Sequence, residues 1–143
     1  MSAWAAAYAA ANAAEFACRT ASVVLVGRER RQALARAAVH AATRTRIQAS
    51  FVGQEPLPVA PPAYSRPDDL ITPGDGRALI SQTENALVPV YADVAAATSG
   101  IDRTWAVEQA IDCAVSGVLW GGASQAFPQA SATDDVPTQA EDQ

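Results

Sequence analysis

The stretch Gln54-Glu-Pro-Leu-Pro-Val-Ala-Pro-Pro-Ala-Tyr-Ser-Arg-Pro67 decides how this chain folds. Each proline fixes its own φ and steers the residue before it out of the α region, so no helix runs through the segment. Structureless connections beyond about 12–15 residues are uncommon in compact domains, and this one covers about 18 residues before the next helix start. In polyproline II geometry, at about 3.1 Å per residue, it can reach roughly 55 Å. A helix of about 24 residues is about 36 Å long, so the segment can travel the full length of a helical bundle.

Helical signals lie on both sides. The first helix is expected from Ala3 to about Val26, with Ser2 as N-cap and Gly27 as stop, and the second from Arg28 to about Val52, ending at Gly53. The third has the clearest start: Thr72 as N-cap, Pro73 at the first helical position and Asp75 in the first turn. It should continue to Ala97 with a kink or local break at Pro89, and stop at Ser99-Gly100. The fourth is expected from Asp102, as N-cap, to Trp120, before Gly121-Gly122. The short junctions at Gly27 and Gly100 make two antiparallel hairpins. The prediction is therefore an all-α, ferritin-like four-helix bundle over residues 1–122, its hairpins joined by the long proline-rich crossover. A plain up-down bundle with an oversized loop is the less favoured arrangement. Residues 123–143 are small, polar and acidic, and read as a disordered acidic tail.

The composition fits one helical domain. The chain has 143 residues, 50% of them hydrophobic. About a quarter are alanine, the best helix former, which suits close helix approach with Trp4, Tyr8, Phe16, Trp105 and Trp120 setting the packing. A net charge of −5 argues against general nucleic-acid binding, although Arg28, Arg30, Arg31 and Arg36 crowd the start of the second helix. That run reads as a solvated face before it reads as a site for RNA or an acidic partner. Cys18 and Cys113 have no metal-type spacing and read as reduced thiols. The N-terminus lacks a basic region and Glu15 interrupts its apolar run, so neither a signal peptide nor a membrane span is expected, and the expected compartment is the cytoplasm.

Helical periodicity then selects inward stripes. They are Trp4, Tyr8, Ala11, Glu15, Cys18, Ser22 and Leu25 in the first helix, and Ala33, Ala37, His40, Arg44, Ile47 and Phe51 in the second. The third offers Arg77, Ile80, Glu84, Leu87, Tyr91 and Val94. The fourth offers Trp105, Glu108, Asp112, Val115 and Leu119, or a neighbouring stripe through Ile111 and Val118. Glu15, His40, Arg44, Glu84, Tyr91, Glu108 and Asp112 form the candidate polar site, since polar groups in such stripes must pair, coordinate something or face water. A di-iron bundle needs two Glu-x-x-His motifs, and this chain has one histidine and none of the motif. A single ion on Glu15, His40, Glu84 and Glu108 is the metal reading, with Arg44 placing positive charge beside it. The favoured reading is an ion-pair network without a cofactor, in which Arg44 pairs with Glu84 or Glu15 and His40 donates to a carboxylate.

The chain resembles the ferritin-like domain of unknown function found in alanine-rich proteins of high-GC bacteria, over about residues 5 to 128. The resemblance rests on Ala-Ala-Glu15, on His40 followed by Arg44 and Ile47, and on Pro61-Pro62-Ala63-Tyr64. It continues through Glu84 and Tyr91, Ala114-Val115, Trp120 and Phe127-Pro128. Phe16, Thr45 and Ser116 stand where that family often has His, Asp and Arg, so the polar cluster is thinner here. The resemblance implies a ferritin-like fold and no established activity. Function is expected to be non-enzymatic binding or self-association through the alanine-rich helix faces, with an unidentified protein or a second copy as partner. A degenerate metal or redox carrier is the alternative.

Overall fold

A computed structural model describes residues 1–51, 56–61 and 64–123. Four helices account for most of them: α1 (Ala3–Ser22), α2 (Gly27–Ser50), α3 (Pro73–Ala97) and α4 (Gly100–Leu119). Among the described residues there is no strand. The expected disordered tail falls almost wholly on residues 124–143, outside the described residues, as do residues 52–55 and 62–63 of the proline-rich connection.

The helix starts follow their caps. Ser2 Oγ accepts from Ala5 N at 3.1 Å. Thr72 and Asp75 form a reciprocal capping box, with Asp75 N donating to Thr72 Oγ1 at 3.2 Å and Thr72 N to Asp75 Oδ2 at 2.6 Å. Several boundaries move, three of them with a visible cause. α1 stops at Ser22 rather than Val26, because Ser22 Oγ bonds the Arg19 carbonyl and a β-branched pair, Val23-Val24, follows. Val26 is extended, and Gly27, at φ 55, opens α2 instead of merely closing α1. α4 begins two residues before Asp102, with Ser99 as N-cap and Asp102 in the first turn. Of the kink or local break expected at Pro89, no break occurs: α3 is continuous to Ala97, held by burial of Leu87, Val88, Tyr91 and Val94 on both sides of the proline.

Side-chain contacts fix the helix directions. Gly76, near the start of α3, lies against Val24 and Leu25 just beyond α1, and Ala7 shares a core cluster with Tyr91 and Val94. α1 and α3 are thus antiparallel. Glu29 pairs with Arg77, and His40 with Glu84, so α2 and α3 run the same way. The α1–α2, α1–α3 and α3–α4 pairs approach closely, whereas α2 meets α4 chiefly through long side chains. One core cluster joins Cys18, Leu25, Ala33, Ala37 and Ile80. The other, around Tyr91, is flanked by Trp4 stacked on Trp105 at 5.6 Å, with Tyr91 edge-on to Trp105 at 5.9 Å.

The inward face of α4 differs from both expected stripes. Its buried residues are Ala106, Cys113, Ser116 and Gly117, while Glu108, Ile111, Val115 and Leu119 are exposed. Small residues are selected because α3 supplies the bulk and comes close: Ser81 Oγ donates to the Gly117 carbonyl at 2.9 Å, and a Cβ on Gly117 would sit 2.4 Å from Asn85 Oδ1.

Gly76 and Gly74 separate the two effects of a glycine. A Cβ at Gly76 would lie 2.8 Å from Val24 Cγ2 and 3.1 Å from the Ala21 carbonyl, whereas at Gly74 the nearest atom is 3.5 Å away. Overpacking costs about 1–3 kcal/mol and the helix-propensity gain of alanine is about 1 kcal/mol. Gly76→Ala should therefore destabilise the fold by about 1 kcal/mol while Gly74→Ala leaves it unchanged or firmer, as measured by urea denaturation.

Candidate functional site

Three helices bring polar groups to one buried point. Glu84 on α3 and His40 on α2 are almost fully buried. Both Glu84 oxygens are bonded by Arg36 of α2, from Nε to Oε1 at 2.6 Å and from Nη2 to Oε2 at 2.8 Å. His40 Nε2 lies 2.9 Å from Oε1. A carboxylate held ionised accepts only, so Nε2 is the donor in this bond. Arg36 also reaches α4, donating from Nη1 to Asp112 Oδ2 at 2.6 Å and from Nη2 to Cys113 Sγ at 3.7 Å.

The electrostatics follow from this geometry. Burial works to raise the pKa of Glu84, but the hydrogen bonds of Arg36 and His40, together with their charge, hold it down to about 2. Burial alone lowers the pKa of Arg36. The bonds and charges of Glu84, and then of Asp112, outweigh burial and raise it. Burial pushes the Cys18 thiol up to about 12, with Glu84 adding to the shift and Arg36 opposing it. The Cys113 thiol and the Tyr91 hydroxyl are raised too, first by burial. Both cysteines are free and buried, and neither is an activated thiolate as it stands.

The candidate residues separate into two groups. Glu15 lies toward the surface, taking Arg44 Nη1 at 2.7 Å and Arg19 Nη2 at 3.1 Å. Arg44 also bonds Asn12 Oδ1 at 3.0 Å. Of the two partners considered for Arg44, the structure pairs it with Glu15 and gives Glu84 to Arg36. Glu108 is exposed on α4, and Asp112 enters only through Arg36. Tyr91 is buried, and its hydroxyl has no hydrogen-bond partner among the described residues.

Two residues of the site do not stand out in the sequence. Arg36 belongs to a run of arginines that reads as a solvated face, yet it alone of that run is directed inward; Arg28, Arg30 and Arg31 are exposed. Cys18 lies on the expected inward stripe but outside the expected site. Its sulfur, a ring nitrogen of His40 and a Glu84 oxygen all lie within 4.8 Å of one another, the one cluster of three or more His, Cys, Asp or Glu among the described residues that could hold a metal ion. A signal existed: Cys18 is three residues from Glu15 and His40 four from Arg44, so pairing Glu15 with Arg44 sets Cys18 opposite His40.

A family model described as "Domain of unknown function (DUF4439)" matches residues 3–132, and the chain belongs to that family. No curated protein and no solved structure matches it. No helix among the described residues is long and apolar enough to cross a membrane.

Glu84 also sets an acid limit. Its pKa in the fold, about 2, lies below the ordinary 4.5, so its stabilising contribution is full above pH 4.5 and is lost as the pH falls toward 2. Acid unfolding followed by circular dichroism should show this loss, and Glu84→Gln should weaken the pH dependence in that window. Arg36→Ala, which strands a buried carboxylate, should cost about 3–5 kcal/mol at neutral pH in urea titrations.

Proposed function

We infer that this family member is a non-enzymatic helical module that acts by contact, pairing with a second copy of itself through the outward face of α4. The observation behind this reading is that Val107, Ile111, Val115, Val118 and Leu119 are 44%, 58%, 53%, 43% and 80% exposed, on a helix whose inward face is made of small residues. The first four recur at steps of four and three and so share one stripe, the pattern of a helix awaiting a partner. A stripe on one straight helix is self-complementary under a two-fold axis, which favours a symmetric dimer.

The reading includes ferritin-like connectivity. α2 and α3 run the same way, so the chain leaving Ser50 has to return along the bundle to reach Pro73. Two features support that route: Tyr64 packs on Phe16 in mid-α1 at 5.0 Å, and Leu70 is buried near the start of α3. The buried Glu84–Arg36–His40 network is assigned to specifying the packing, since Arg36 and His40 both bond the Glu84 carboxylate.

Size-exclusion chromatography with light scattering checks the dimer. The wild-type chain should run as a dimer at high protein concentration, and Ile111→Asp should be a monomer of unchanged thermal stability. A wild-type monomer under the same conditions defeats the reading.

A further inference from the structure

The buried cluster holds more donors than its hydrogen bonds employ. Cys18, His40 and Glu84 come from three different helices, each almost without exposed surface, and each offers a ligand atom within 4.8 Å of the other two. Thiolate, imidazole and carboxylate are donor types that zinc accepts, at about 2.3 Å for sulfur and about 2.0–2.2 Å for nitrogen and oxygen. Side-chain shifts on the order of an ångström would bring these atoms onto one tetrahedral ion. The sulfur argues against magnesium and calcium, which take oxygen ligands.

Two further features belong with this cluster. The Tyr91 hydroxyl is buried without a partner among the described residues, within electrostatic reach of Glu84, Arg36 and the Cys113 thiol. Arg36 lines an open cleft of about 420 Å³ between α2 and α4, beside Glu29, Val39 and Trp120. Arg36, which covers Glu84, therefore also borders that cleft, its side chain 12% exposed.

We propose that Cys18, His40 and Glu84 form a mononuclear site for zinc or a zinc-like divalent ion, with Arg36 as its exchangeable counter-ion. Without an ion, Arg36 neutralises Glu84. When a divalent ion binds, Cys18 releases its thiol proton to solvent. The thiolate and the carboxylate then balance the two charges of the ion, and His40 supplies a neutral lone pair, any proton on the coordinating nitrogen passing to solvent or to the other ring nitrogen. Arg36 is no longer required at Glu84 and passes to Asp112, which it already touches at 2.6 Å. Three protein ligands leave a fourth position for water. This inference is independent of the dimer: a monomer could bind the ion, and a dimer could lack it.

Cobalt titration of untagged, chelator-stripped protein reads the site directly, because thiolate-bound tetrahedral cobalt has a near-ultraviolet charge-transfer band and intense visible bands. One cobalt per chain is expected, with the charge-transfer band present and zinc displacing it. Cys18→Ser should abolish that band with circular dichroism unchanged, and Cys113→Ser should keep it. Absence of the band in the wild-type chain, or its survival in Cys18→Ser, overturns the site. Asp112→Asn, at a half-exposed position, removes the alternative anchor of Arg36 and should weaken cobalt binding several-fold. Unchanged affinity overturns the counter-ion role.

Discussion

Glu84 has no exposed surface, and a carboxylate in that position must be neutralised where it lies. Arg36 does this from a different helix, with both carboxylate oxygens engaged by one planar guanidinium. The consequences spread through the bundle. The bidentate pair fixes the height of α2 against α3, and His40, one turn along from Arg36, lands on the same carboxylate. The remaining arm of Arg36 fixes α4 through Asp112. Slipping any of these helices by a turn would leave a buried charge without its partner, so one ionic contact sets the register that the small, smooth alanine faces leave undetermined.

Alanine-rich packing divides the labour unevenly. α3 carries Ile80, Leu87, Tyr91 and Val94 into the centre, and α1 and α4 meet them with Ala7, Ala11, Ala14, Ala106 and Gly117. Large against small is an economical way to fill a narrow core. It also means that the larger aliphatics of α4 are not needed inside, which is why they lie on the outer surface.

The same asymmetry explains what could be read from the sequence. The N-cap at Thr72, the proline-rich connection and the inward stripe of α3 were legible, because local chemistry or strong periodicity determines them. The inner stripes of α1 and α2 were legible in part, including Glu15 with Arg44 and His40 with a carboxylate. The α4 stripe was not, since choosing large apolar residues as the inner face fails when the neighbouring helix needs room for its own bulk. Arg36 was hidden for a related reason: an arginine in a run of arginines looks solvated until the opposing helix is known to bury a glutamate. Cys18 was visible on the right face, but its neighbourhood with His40 and Glu84 is a property of three helices together and of no spacing within one.

Three sides of this bundle are closed by backbone proximity, and the fourth, between α2 and α4, by reaching side chains: Arg36 to Asp112, Thr43 to Gln109, and Arg46 to Asp102 and over the Trp105 ring. Such a side is a laced seam, not a weld. Its fastenings are partly exposed and mostly charged, so dissolved salt loosens them more than it loosens the three packed sides, which rest mainly on apolar contact. Of the four sides, this is the one whose closure depends most on ionic strength, and it runs over the deepest charge in the fold.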